Sequence, residues 1–122
     1  MNEKVPRGLD FDQEQLLARV ENDRELMHNL LGIFRQEFPR YVQALREAVV
    51  SGDGELVAAA AHTLQGMLLN LAAGPAAAAA GRLEQLGRNG EIPAIQEAFA
   101  AFESSAASLL PQLEACMAEV HS

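Results

Sequence analysis

The sequence predicts an all-α protein: an up-and-down antiparallel four-helix bundle with a short additional N-terminal helix. Three observations predict it. Apolar residues recur at steps of three and four along most of the chain, and no segment alternates with a period of two. The composition is 49% apolar but only 5% aromatic, without Trp and rich in Ala and Leu, which favours helices over strands. Short predicted connections, about two to five residues each, suit antiparallel neighbours. The 122 residues suffice for one domain with one hydrophobic core. We divide them into a loose, polar lead-in over 1–9 and a bundle domain over 10–122.

Asp10 is placed to cap a short first helix, with Gln13 three residues later as its capping-box partner. Phe11, Leu16, Leu17 and Val20 are its apolar residues, and it ends near Glu21. Asn22-Asp23 breaks it, and Asp23 caps the second helix. There Leu26, Met27, Leu30, Leu31, Phe34 and Phe38 form a broad apolar face. The pattern passes Pro39, resumes with Val42, Leu45 and Val49, and stops at Ser51-Gly52. We read this as one long bent helix. Asp53 caps the third helix, and Glu55 suits its positive first turn. Val57, Ala61, Leu64, Leu68 and Leu71 form its core stripe, and Gly74 is the C-cap expected near its end. Pro75 opens the fourth helix. The run Ala76 to Ala80 is a close-approach surface completed by Leu83 and Leu86, and Asn89-Gly90 ends it. The fifth helix starts near Ile92-Pro93. It carries Ile95, Phe99, Phe102, Ala106, Leu109, Leu113 and Met117, with Pro111 expected to kink or split it.

Charge and composition narrow the function classes. A net charge of −8 argues against nucleic-acid binding, which needs clustered Lys and Arg, and against anionic membranes. The single Cys116 allows no internal disulfide and fits a reducing compartment. No apolar run reaches spanning length, and Met1 to Phe11 is too polar for a signal peptide. The expectation is a cytoplasmic protein, monomeric, with no cofactor of its own. There is no Gly-rich nucleotide loop and no cluster of catalytic aspartates. No two histidines have metal-ligand spacing, and His28 and His121 are expected to face solvent.

His62 stands apart. On a helix it lies nearly opposite the core stripe of its own segment, with Ala58, Ala59, Gln65 and Gly66 as neighbours three and four residues away. None of these crowds the ring. No Asp or Glu occurs from Leu56 to Leu83, in a chain with seventeen of them, so no carboxylate close in sequence would repel an incoming phosphoryl group. A neutral imidazole carries a nucleophilic lone pair near neutral pH, since an unperturbed histidine titrates near ~6.5.

The stretch Ala61-His62-Thr63-Leu64-Gln65-Gly66 resembles the signature of histidine-containing phosphotransfer (HPt) domains. Later segments, Asn70-Leu71-Ala72-Ala73 and Leu83-Glu84, follow in the order of that family. Upstream, Phe34-Arg35-Gln36-Glu37-Phe38-Pro39, Leu45 and Gly52-Asp53 fit as well, so the resemblance spans about residues 10–113. Two positions depart from it: the usual lysine is Gln65, and the usual glycine after Asn70-Leu71 is Ala72.

The resemblance implies that His62 is the phosphoacceptor, without kinase activity in this chain. It implies receiver domains of response regulators or hybrid sensor kinases as partners, which would supply Mg²⁺ and carboxylates. Gly66 would leave room for the phosphoryl group. Gln65 would lie beside it, donating a hydrogen bond without neutralising charge. Transfer is expected to persist with a less stabilised phosphorylated state than a lysine would give. Arg82 and Arg88 are the candidates for charge support; Ala58, Ala59 and Leu69 are the candidates for partner docking. Glu84 reads as a solvated or structural carboxylate. The alternative is a non-phosphorylated module of the same fold that binds a signalling partner or dimerises, and Gln65 is the feature that favours it.

Overall fold

The structure is a computed structural model and describes residues 11–121. The lead-in over 1–9 and the expected cap Asp10 lie outside the described residues, as does the side chain of His121. Five helices follow in order: α1 (Gln13–Arg19), α2 (Arg24–Ser51), α3 (Gly54–Asn70), α4 (Gly74–Arg88) and α5 (Ile92–His121). Helices α2 to α5 form a closed ring in which each packs on the next and α5 returns to α2. That is the four-helix bundle, with α1 as the short additional element.

The start of α1 differs from expectation. Asp12, not Asp10, is its N-cap and accepts from the Gln15 N–H at 3.0 Å, so the helix begins at Gln13. Two bonds tie α1 to the end of α3: Asp12 N–H to the Ala72 carbonyl at 2.9 Å, and Arg19 Nη1 to the Leu69 carbonyl at 2.5 Å. Phe11, Leu16 and Val20 enter the core.

Asp23 caps α2 by accepting from Leu26 N–H at 3.0 Å, and Gly52 ends it in the left-handed conformation at φ 73°. Met27, Leu31, Phe34, Phe38 and Leu45 are buried along its inner face. Phe34 stacks on Phe38 at 4.5 Å between ring centroids, and Phe38 meets Phe102 of α5 at 6.5 Å. The helix continues through Pro39, and α5 continues unbroken through Pro111. Both prolines are exposed. The carbonyl that each leaves without a helical partner belongs to an exposed residue, Arg35 or Ala107, where water can replace the lost bond.

Asp53 caps α3 through the N–H groups of Glu55 and Leu56, and the whole predicted stripe from Val57 to Leu71 is buried. The end of α3 corrects the sequence expectation. Gly74 is the first residue of α4 rather than a cap of α3. Leu71 is the C-cap, and Ala72 takes the left-handed conformation at φ 58°. That conformation costs an L-residue roughly 1–2 kcal/mol, the physical reason a glycine would suit the position. His28 also departs from expectation, being half-buried rather than solvent-facing.

Helices α3 and α4 form a tight hairpin. Ala76, Ala77, Ala80 and Gly87 are buried along α4, and Ala58 and Ala61 along α3. A Cβ on Gly87 would lie 2.5 Å from the Gly54 carbonyl oxygen and 2.9 Å from the Ala58 nitrogen. The two backbones therefore nearly touch, and only small side chains fit between them.

Candidate functional site

The hairpin sets which α4 residues face His62. The turn near Ala73 lies eleven residues after His62 and eleven before Glu84, so an antiparallel hairpin brings these two opposite each other. The same register places Gln65 against Gly81, where a Cβ would lie 2.6 Å from Gln65 Nε2.

His62 has 68% of its side chain exposed. Its Nδ1 lies 3.2 Å from Glu84 Oε1 and 3.1 Å from Oε2. An ionised carboxylate only accepts hydrogen bonds, so Glu84 favours a proton on Nδ1. In the neutral ring the lone pair is then on Nε2. Glu84 is itself 13% exposed and is also held by Arg88. The Arg88 Nε donates to Glu84 Oε2 at 3.1 Å, and its Nη2 donates to the same oxygen. These Arg88 bonds hold the Glu84 carboxyl below the usual range, with His62 contributing in the same direction and partial burial opposing.

Sequence reasoning missed Glu84 as a partner of His62, treating it as a solvated or structural carboxylate. The stretch without acidic residues is real, but the fold brings Glu84 back within hydrogen-bond distance of the ring. Two signals pointed to it: its equal spacing across the turn, and an arginine four residues later on the same helix face.

The other predicted site residues separate. Gly66 is exposed one turn beyond His62, and a Cβ there would meet nothing within 4 Å. Gln65 is half-buried over Gly81. Arg82 is exposed and makes no ion pair among the described residues, whereas Arg88 engages Glu84. Ala58 is only 6% exposed against Gly87, so it offers a partner little surface. Ala59 is exposed, and Leu69 is 52% exposed two turns beyond His62. Beside them, Tyr41, Leu56, Ala60 and Thr63 line an apolar groove between α2 and α3.

Among the described residues no group of three or more His, Cys, Asp or Glu side chains could hold a metal ion. No helix there is long and apolar enough to cross a membrane.

No curated protein matches the chain. Among solved structures it is similar to histidine-containing phosphotransfer protein B (HptB) from Pseudomonas aeruginosa PAO1. The identity is 21% and the TM-score 0.84, over 90% of this chain and 96% of that one. That likeness shows a shared fold. The Hpt domain model matches residues 29–122, most of the bundle and the whole α3–α4 hairpin. The chain belongs to the Hpt domain family, the phosphocarriers of two-component phosphorelays.

Proposed function

We propose that His62 is the residue through which this Hpt domain accepts and donates its phosphoryl group, and that the reacting atom is Nε2. One observation carries the reading. The ring is exposed, and its Nδ1 is engaged by Glu84 while Nε2 has no such partner among the described residues.

The chemistry follows from that arrangement. A receiver's phospho-aspartate approaches Nε2 in line. The Nε2 lone pair forms the P–N bond as the P–O bond to the aspartyl oxygen breaks, and the bonding electrons leave with the carboxylate. Nδ1 keeps its proton throughout, so the phosphorylated ring carries positive charge next to Glu84. In a site only partly open to water that pairing lowers the energy of the phosphorylated ring. Transfer to another aspartate reverses the same steps. Mg²⁺ and the acidic residues that hold it belong to the receiver.

The surroundings support docking of a receiver here. Gly66 leaves the outer side of the ring open, and the exposed Ala59 and Leu69 offer apolar contact. Glu84 lies on the Nδ1 side with its charge partly balanced by Arg88, which limits its repulsion of an incoming phosphoryl group. The Gln65 amide lies one turn from His62 and makes no hydrogen bond among the described residues, so it is available as a neutral donor.

The test is phosphoryl transfer from a panel of phosphorylated receiver domains to the wild-type chain and to His62→Gln. Label on the wild type that is acid-labile and base-stable, and absent from the variant, is the expected result. Label that persists on His62→Gln would place the acceptor elsewhere, and no label on either would remove the relay reading.

A further inference from the structure

The structure assigns Arg88 a role as a positioning residue for His62, acting through Glu84 rather than by touching the phosphoryl group. The inference rests on the reading of His62 given above and names what holds its orientation.

An exposed Arg–Glu pair four residues apart on a helix contributes little by itself. This pair differs in two respects. Its carboxylate is largely withdrawn from water, wedged between α4 and the His62 ring of α3. Two Arg88 nitrogens, Nε and Nη2, also converge on one oxygen, Oε2, so the fork anchors that oxygen, while the His62 Nδ1 facing both oxygens sets the rotation of the carboxylate. With Oε2 held, both carboxylate oxygens stay within 3.2 Å of Nδ1. Arg88 also lines a hollow with Glu55, Ala58 and Ala59, so it reaches across to the first turns of α3. Without Arg88, Glu84 gains rotamers that turn it towards water. Nδ1 then loses its fixed acceptor, and the neutral ring is free to move its proton to Nε2, where it blocks attack.

The experiment compares Arg88→Met, Arg88→Lys and wild type, each also in a Glu84→Ala background. The first readout is the ¹⁵N spectrum of His62 at neutral pH, which reports the ring tautomer without any phosphoryl transfer. The wild type should show mainly Nδ1–H, and Arg88→Met a shift towards Nε2–H. The second readout is the rate of acceptance from a phosphorylated receiver. Arg88→Met should slow it about tenfold, the size of a coupled charge network losing one member, with Arg88→Lys recovering part of the loss. In the Glu84→Ala background the same change should add less than about twofold. An unchanged tautomer in Arg88→Met overturns the inference. So does an equal slowing in both backgrounds, because Arg88 would then meet the phosphoryl group itself. Failure of the wild type to accept any label would instead contradict the proposed function and leave the tautomer result to judge Arg88.

Discussion

Gly66 is a helical glycine that the fold does not require. Its φ is ordinary, it is exposed, and a Cβ would meet nothing within 4 Å. A glycine inside a helix costs roughly 0.5–1 kcal/mol relative to alanine. Gly66→Ala should therefore stabilise the isolated domain by about that amount, raising Tm by roughly 2–4 °C. Phosphoryl transfer should fall on the order of tenfold, because a methyl group in the open space one turn beyond His62 would crowd the docking partner and displace the in-line approach. A calorimetric melt with a transfer assay on the same sample checks both halves; a variant both more stable and equally active would mean that Gly66 makes no room for a partner. At the same scale, His62 was legible from the sequence because its exposure follows from helical periodicity alone. Its partner Glu84 was not, because that contact depends on how α4 folds back on α3, which residue spacing within α3 does not record.

At the scale of the element, the α3–α4 hairpin does most to build the site. Its register is set by close backbone approach at Gly54, Ala58 and Gly87. Gly87→Ala would place a Cβ against backbone on the facing helix, where no flexible side chain can yield. The helices must separate, at a cost of about 1–3 kcal/mol, and the His62–Glu84 contact should loosen with them. Urea unfolding checks the first effect. Alanine thus stabilises at one helical glycine and destabilises at another, and retained stability in Gly87→Ala would contradict the close approach. The alanine-rich run was readable as a close-approach surface because its spacing matches a helix face, and Ala76, Ala77 and Ala80 are buried while Ala78 is exposed. The turn was read less well. Gly74 looked like a cap, but Ala72 adopts the positive φ and Gly74 precedes Pro75 within α4. A strained alanine in place of the expected glycine carries no signal in composition or period.

For the whole molecule, bundle topology followed from helical stripes and short connections, and the ring of α2 to α5 contacts agrees. Two prolines inside long helices could have been breaks. They are tolerated because both lie on the solvent face, a fact that depends on rotation about each helix axis. Cohesion of the bundle should also respond to pH through Glu84. Its carboxyl is held below the usual Glu range, chiefly by Arg88. A carboxylate with a lowered folded pKa stabilises the fold above its ordinary pKa, and that contribution is lost as pH falls through the folded value. Melting temperatures of wild type and Glu84→Gln should therefore differ at neutral pH and converge below about pH 4.3, the ordinary Glu pKa. Parallel curves from pH 7 to pH 3 would show that Glu84 is not linked to folding.

The fold presents His62 with Nδ1 against Glu84 and, among the described residues, with Nε2 unbonded. The most direct measurement is the position of phosphorylation on the ring, read by ³¹P and ¹⁵N NMR of the protein after transfer from a phosphorylated receiver. Phosphorus is expected on Nε2, with the Nδ1 proton retained and coupled to Glu84. Phosphorus on Nδ1 would contradict it, because that nitrogen would have to leave Glu84 before it could react.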